Sequence, residues 1–215
     1  MSGAVSAPER DCPLCPRLAA FRSEQRARFA DWHNAPVPSF GDLDARLLVV
    51  GLAPGLKGAN RTGRPFTGDY AGDLLYATLS RHGFARGTYA ARADDGFALV
   101  DCRVTNAVRC VPPQNKPEPK EISSCGAFLA AELRAMPNLR LILALGAIAH
   151  GAVLVAVGER RARHLFAHGA RHGLAGGLSL TDSYHCSRYN TNTGRLTAAM
   201  FDAVVAGLRQ ALDAG

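Results

Sequence analysis

The sequence lacks any apolar run of about 18 residues, so we expect no membrane-spanning helix. Its first residues also lack the charged and then apolar segments of a secretory signal peptide. These two absences predict a cytoplasmic protein with no membrane partner. At 215 residues, with 47% hydrophobic and 20% charged residues, the composition is typical of a single globular domain spanning 1–215 with a sizeable core. Within it, residues 1–45 are expected to be irregular or partly helical.

Lysine is scarce, because only Lys57, Lys116 and Lys120 are found among the 25 basic residues. The other 22 are arginine, and the net charge is +7. Arginine binds phosphate through its bidentate guanidinium, so this surplus favours a polyanionic partner such as a nucleic acid. A genome with biased codon usage would produce the same composition, and charge alone does not separate the two explanations.

The cysteines are not arranged as in electron-transfer or radical proteins, because no C-x-x-x-C-x-x-C motif is present. Disulfides are not expected in a reducing compartment. Cys12 and Cys15 form a proline-flanked C-x-x-C, and fourteen residues separate Cys110 from Cys125. Four such thiolates can hold zinc or an iron–sulfur cluster, whereas the C-x-x-C alone is also compatible with a redox dithiol or a surface turn. Cys102 is expected in the core.

Strand-like and helix-like segments alternate after residue 45. Buried strands are predicted over 46–54, 97–110, 139–146 and 178–185. Helices are predicted over 71–83 and 117–136, from 147 to about 157, and along an apolar stripe from 196 to 212. This alternation predicts an α/β fold, a three-layer α/β/α domain with a central, mainly parallel four-stranded sheet.

Ligands of such sheets bind at the carboxyl ends of the strands. The loops that follow the predicted strands there are 51–70, 106–116 and 185–195. A further segment, 158–173, is basic and rich in histidine, and we expect a solvated helix or loop face there rather than a metal site.

Three motifs, GLAPG…GANRTGRPFTGD, VTNAVRCVPP and HCSRYNTNTGRLT, combine with the four cysteines. Together they resemble the uracil-DNA glycosylase superfamily, and within it family 5, the iron–sulfur B-type enzymes of bacteria and archaea. The resemblance covers roughly residues 12–205. Family-4 relatives share the cysteine pattern but carry an acid in the first motif, where this chain has Leu52 and Ala53.

This resemblance implies a monofunctional, monomeric enzyme of base excision repair. Such enzymes flip a damaged base out of DNA and hydrolyse its N-glycosidic bond. The implied substrates are uracil and other deaminated bases such as hypoxanthine. The resemblance also implies a structural [4Fe–4S] cluster held by Cys12, Cys15, Cys110 and Cys125. The rival predictions are a family-4-like enzyme confined to uracil and a cluster-stabilised module that binds DNA without catalysis.

The base pocket implied by the resemblance has a backbone wall and two side chains. Its base-binding residues are Gly51, Ala53, Gly55, Phe66 and Asn106. Small residues let the backbone approach the base, the phenyl ring stacks on it, and the amide can pair with O4 and N3–H of uracil. The alternatives are a core phenylalanine under the loop and an asparagine that caps the strand end.

The implied catalytic residues are His185 and Asp69. The histidine donates a hydrogen bond to O2 of the departing uracil anion. The carboxylate stabilises the positively charged sugar and orients the attacking water, unless it only caps the next helix. Asp73 is a weaker competitor, better explained as an acid in the first turn of that helix. Cys186, which replaces a proline common in relatives, is interpreted as a local variation and not as a metal ligand.

Six polar or aromatic side chains are predicted to contact DNA, although an exposed, solvated loop would explain each of them as well. They are Arg61, Arg64, Ser187, Arg188, Tyr189 and Asn190. Hydroxyl, amide and guanidinium groups all donate hydrogen bonds to phosphate oxygens. Either Arg188 or Tyr189 is expected to wedge into the gap that the flipped base leaves.

Overall fold

A computed structural model describes residues 7–214, so residues 1–6 and 215 of the predicted domain lie outside the described part. The N-terminal segment contains one regular helix, α1 (Pro16–Arg28), which confirms that it is partly helical. Proline stands at the first helical position, where its missing N–H costs no hydrogen bond. No helix among residues 7–214 is long and apolar enough to span a bilayer.

The strands form one central sheet and one small hairpin. Their bounds in chain order are β1 (Leu47–Gly51), β2 (Ala85–Arg86), β3 (Ala98–Leu99), β4 (Cys102–Asn106), β5 (Leu141–Leu145), β6 (Arg171–Gly173) and β7 (Ser179–Ser183). The sheet order is β4-β1-β5-β7-β6, with the first four strands parallel. The predicted four parallel strands are therefore confirmed, and β6 adds a short antiparallel strand at one edge.

Helices cover both faces of the sheet, as predicted. Besides α1 they are α2 (Ala59–Thr62), α3 (Tyr70–Arg81), α4 (Pro119–Ala135), α5 (Ala147–Ala156), α6 (Arg188–Asn192) and α7 (Ala198–Asp213). Leu47 and Val49 of β1 share one apolar cluster with α3 and α7, while Leu48 and Val50 share the other with α4 and α5. Successive side chains of a strand point to opposite faces, so the fully buried β1 contributes to both cores.

The single strand predicted over 97–110 is wrong. The chain turns at Asp101, whose φ of 52° interrupts the extended backbone between β3 and β4. The turn is held by Arg46, whose backbone N–H donates to the Asp101 carboxylate at 2.8 Å and whose guanidinium forms an ion pair with it at 2.6 Å. The first part of the segment instead pairs with β2 in the hairpin.

The expectation of a wholly solvated face over 158–173 is also wrong in part. Arg160, Arg161 and Arg163 are exposed as expected. His172, however, lies on β6 and turns its imidazole towards a buried carboxylate of β7. This strand was not predicted from the basic, glycine-rich segment, because a three-residue edge strand has too little apolar periodicity to be recognised.

Candidate active site

A cleft of about 540 Å³ opens at the carboxyl ends of the sheet strands and brings together the three predicted loops. Of the residues predicted for base binding, catalysis or DNA contact, the cleft is lined by Ala53, Gly55, Phe66, Asp69, Asn106, His185, Ser187 and Arg188. It is also lined by Leu52, Pro54, Tyr70 and Asn115, which sequence reasoning missed. Their positions inside the same loops were the available signal, but their side chains suggested no chemistry.

Gly51 lies beneath the cleft rather than on its wall. A Cβ atom at this position would be 2.4 Å from Cζ of Phe66 and 2.5 Å from Oδ1 of Asn106. Any side chain here would therefore push both groups out of place. Direct contact between Gly51 and the base, as predicted, is therefore not expected. Instead, the absence of a side chain at Gly51 leaves the space in which the phenyl ring and the amide pack.

Phe66 is both a core residue and part of the cleft wall, so its burial is compatible with the stacking role, which stays a prediction. Its ring belongs to the buried cluster of α3 and α7 and lies 5.9 Å, centroid to centroid, from the nearly parallel ring of His185. Its φ of 52° is a left-handed conformation that costs about 1–2 kcal/mol for a residue with a side chain. The surrounding contacts have to offset that cost.

Tyr89 holds the Phe66 segment in this conformation. Its hydroxyl donates to the carbonyl of Phe66 at 3.2 Å and accepts from the N–H of Gly68 at 3.3 Å. The start of α3 also packs tightly against the Phe66 backbone, because a Cβ at Gly72 would lie 1.6 Å from the Phe66 carbonyl oxygen. The phenyl ring is thus fixed by its own backbone as well as by its neighbours.

The prediction that Arg64 contacts DNA is wrong. Its side chain is only 5% exposed and forms two hydrogen bonds of 2.8 Å with the carboxylate of Asp95. Four rings surround the guanidinium with centroids 5.0–5.8 Å away, those of Phe40, Tyr76, Tyr89 and Phe97. The Arg64 guanidinium holds the pKa of Asp95 well below its usual range. Arg64 therefore ties the first loop to the 86–97 loop, whereas Arg61 is exposed.

Asn106 ends β4 directly opposite Gly51 of β1. Its side chain is buried, and its Oδ1 has no hydrogen-bond partner among the described residues. A buried acceptor without a donor costs about 1–3 kcal/mol. Because this oxygen belongs to a cleft-lining residue, a ligand with an N–H group can supply the missing donor.

His185 presents the second unpaired buried group. Its Nδ1 has no partner within residues 7–214, and burial lowers the pKa of the imidazole to about 4. The ring is therefore neutral near pH 7 and offers one N–H donor and one acceptor. The amide nitrogen of Asn190 donates one hydrogen to the His185 carbonyl at 2.8 Å and so holds this loop, while its predicted phosphate contact stays a prediction.

Asp69 has the capping role that was one of its two predicted roles, and its catalytic role stays a prediction. Its Oδ1 accepts from the N–H of Gly72 at 3.2 Å and so caps α3. The carboxylate also lines the cleft, and burial raises its pKa although backbone N–H groups of Ala71 and Gly72 oppose the effect. Asp73 is exposed in the first turn of α3, as expected for an acidic residue whose charge interacts favourably with the helix dipole.

Short helix α6 forms one rim of the cleft. Ser187 caps it by accepting from the N–H of Asn190 at 3.3 Å. Arg188 lies with its guanidinium 5.4 Å from the ring centroid of Tyr70, and Tyr189 is 72% exposed. Arg188 lines the cleft, and the contacts of both side chains with DNA stay predictions.

The four cysteines predicted as ligands line a second, smaller cavity together. Cys15 precedes α1, Cys110 follows the Asn106 loop, and Cys125 lies on α4. The Cys110 sulfur accepts from Nη1 of Arg22 at 3.5 Å, and the Cys125 sulfur accepts from the backbone N–H of Arg109 at 3.3 Å. The two other cysteines, Cys102 and Cys186, are buried elsewhere.

Comparison with known proteins places these residues in context. The family model described as Uracil DNA glycosylase superfamily matches residues 38–209. The Type-5 uracil-DNA glycosylase of Thermus thermophilus is 48% identical over 195 residues, which cover 88% of this chain and 89% of the relative. The Type-5 enzyme of Pyrobaculum aerophilum is 41% identical over 95% of this chain and 90% of its own. The Type-4 enzyme of that organism is 35% identical, over 70% of this chain and 63% of its own.

The neutral state of His185 can be tested by NMR titration of the imidazole signals. We expect its ring to remain neutral down to about pH 5, because its buried environment disfavours the charged form. The variant His185→Gln identifies the signal by its loss. A titration midpoint near the ordinary value of about 6.5 would contradict the burial argument.

Proposed function

The chain belongs to the uracil DNA glycosylase superfamily, and on this premise we propose that it is a monofunctional DNA glycosylase that hydrolyses the N-glycosidic bond of uracil in base excision repair. One observation carries the proposal. The unpaired buried atoms of Asn106 and His185 and the half-buried carboxylate of Asp69 all belong to residues of a single cleft. A flipped deoxyuridine would supply an N–H for the Asn106 oxygen, an acceptor for the His185 imidazole and a developing positive charge for the Asp69 carboxylate.

The base edge would be recognised by Asn106. Its Oδ1 accepts the N3–H of uracil, and its amide nitrogen donates to O4. Cytosine presents the opposite pattern, with a ring acceptor and an exocyclic donor, so it would leave the buried Asn106 oxygen facing another lone pair. That mismatch costs more than a lost hydrogen bond in water, because neither group can be solvated in the cleft.

His185 would stabilise the leaving group. Bond cleavage places negative charge on the uracil ring, and an imidazole N–H aimed at O2 acts as an oxyanion-hole donor. A neutral ring suits this task, because it donates a hydrogen bond without transferring a proton to a weakly basic anion. Asn190 holds the His185 carbonyl in place, so it positions the imidazole through the loop backbone.

Asp69 would serve the sugar. Glycosidic cleavage develops positive charge on the deoxyribose, which an adjacent carboxylate stabilises while it orients the attacking water. Burial of this carboxylate strengthens its interaction with a cation. Its anchoring at the start of α3, through the N–H of Gly72 that donates to Oδ1, fixes the carboxylate in the cleft wall.

The surface around the cleft would bind the DNA strand. Arg61 and Arg188 are exposed and cationic, and the hydroxyl of Ser187 lies at the rim. These groups suit phosphate contacts, which position the strand without reading its sequence. Either Arg188 or Tyr189, both on α6, would fill the space left in the duplex by the flipped nucleotide.

Replacing Asp69 by Asn tests the catalytic assignment. Asparagine caps helices as well as aspartate does, so stability should change little while the negative charge is lost. We expect single-turnover release of uracil opposite guanine to fall by about 10²–10⁴-fold. Wild-type activity should fall as pH drops through the raised pKa of Asp69, above the ordinary value of about 3.9.

Asp73→Asn is the matched control, because this exposed carboxylate stands in the same helix and is expected to be dispensable. A rate for Asp69→Asn within a few-fold of wild type would remove Asp69 from the mechanism. A wild-type protein that binds the duplex but releases no base would instead show that the chain is a non-catalytic binding module.

We also infer that hypoxanthine is a substrate. Its N1–H and O6 repeat the donor and acceptor edge of uracil, so Asn106 can pair with both bases. We expect release of hypoxanthine opposite thymine and of uracil opposite guanine, no release of adenine or cytosine, and loss of both activities in Asn106→Ala. Release of uracil alone from matched duplexes would indicate the narrower, family-4-like range.

We further propose that Cys12, Cys15, Cys110 and Cys125 hold a [4Fe–4S] cluster. The fit rests on four thiols around one cavity, an N–H donor to one sulfur and the cationic Arg22 beside another, because such donors stabilise anionic clusters. Bound there, the cluster would supply structural cross-linking. The residues themselves join the N-terminal segment and α4 to the loop after Asn106.

Anaerobic purification tests the cluster. We expect a coloured protein with about four irons and about four sulfides per chain, and loss of both in Cys15→Ala. Cys102→Ala, which removes a buried thiol outside the cavity, should retain them. A colourless protein with bound zinc and no sulfide would overturn the assignment while leaving the glycosylase proposal intact.

A further inference from the structure

Two histidines and an aspartate form a buried cluster that does not line the cleft. His150 lies on α5, His172 on the edge strand β6 and Asp182 on β7. One potential ligand atom from each of the three lies within 4.8 Å of those of the other two. Their side chains are 6%, 12% and 0% exposed, respectively. A helix and two adjacent strands thus direct their polar atoms to one point.

The hydrogen bonds of His150 leave two acceptor atoms facing each other in this cluster. Its Nε2 lies 2.9 Å from the backbone carbonyl oxygen of His164, which can only accept, so Nε2 carries a hydrogen. In the neutral ring Nδ1 is then a lone pair, and it faces Oδ1 of Asp182 at 2.7 Å. Two acceptors at this distance need either a proton, carried by the ring or by the carboxyl group, or a metal ion between them.

The second carboxylate oxygen repeats the arrangement. Oδ2 of Asp182 lies 3.0 Å from Nε2 of His172. The carboxylate therefore stands between two imidazole nitrogens inside the protein. His172 is the most exposed of the three groups, so the cluster is nearest to solvent on that side.

The groups around the cluster hold the imidazole of His150 in one orientation and cover it. Histidine ligands commonly donate their other N–H to a backbone carbonyl, as His150 does to His164. The ring of Phe166 packs 5.7 Å from that of His150 and shields it. The nearest other titratable pair is His164 with Glu159, whose atoms lie 3.4 Å apart and whose imidazole is 5.5 Å from His172.

We propose that Nδ1 of His150, Nε2 of His172 and the carboxylate of Asp182 bind a divalent transition-metal ion, for which Zn²⁺ is the best match. Two imidazoles and one carboxylate with an open fourth position form an established zinc ligand set. Imidazole ligands select such ions over Mg²⁺ and Ca²⁺, which take oxygen ligands. The ion would fasten α5 and β6 to β7, the strand that leads into the His185 loop.

Titration calorimetry with Zn²⁺ tests the site in the full chain, purified anaerobically so that the cysteine cavity keeps its own occupant. We expect about one zinc per chain to bind to wild type and to raise its Tm. His172→Gln keeps an N–H directed at Asp182 but removes the imidazole ligand. This variant should fold like wild type and lose about 100-fold or more in zinc affinity.

His82→Gln is the matched control. His82 is also partly buried, with Nε2 3.1 Å from a carboxylate oxygen of Asp202. Within residues 7–214, this histidine–aspartate pair has no second imidazole beside it. We expect its zinc binding to equal that of wild type. Absence of zinc binding in wild type would overturn the proposal and leave a proton between His150 and Asp182.

Zinc binding that survives unchanged in His172→Gln would overturn the proposal equally, because the ion would then lie on other ligands such as the cysteines. Asp182→Asn provides an independent check, since it removes the only anionic ligand and should abolish binding. Neither result depends on base release, so the metal site and the glycosylase proposal can fail separately.

Discussion

The close approach of three chain segments at the end of β1 is the constraint on which the cleft depends. Gly51 provides it, because the absent side chain is the space where the ring of Phe66 and the amide of Asn106 meet. The parallel register that sets Asn106 opposite Gly51 brings the second loop to this point. The left-handed conformation of Phe66 and its anchoring by Tyr89 then fix the first loop against the same glycine.

The same cleft contains buried polar atoms whose hydrogen-bonding capacity is not satisfied. The structure leaves Oδ1 of Asn106 and Nδ1 of His185 buried without partners among the described residues, at a cost in folding stability. Arg64 shows the contrast, since its guanidinium is fully engaged by Asp95 and Thr67 within a ring of aromatic side chains. Satisfied buried groups maintain the scaffold, and unsatisfied ones that line a cleft are available to a ligand.

Sequence reasoning succeeded where local patterns carry the information. Four alternating apolar segments predicted the parallel sheet, and the polar residues after them predicted which loops meet at the cleft. It failed for Arg64, because an arginine in a glycine-rich loop reads as a phosphate ligand until its distant partner Asp95 is known. It failed again at 97–110, where the left-handed conformation of Asp101 is stabilised by Arg46, the residue before β1.

The sequence by itself determined the fold class, the family resemblance and the residue types available for chemistry, because strand periodicity and short motifs are local properties of the chain. Only the tertiary structure decided which of those residues are paired and which remain unpaired. It also joined His150, His172 and Asp182, which no motif connects, into one buried cluster. The physical reason is that burial and pairing depend on contacts between residues far apart in sequence, and these exist only once the layers have packed.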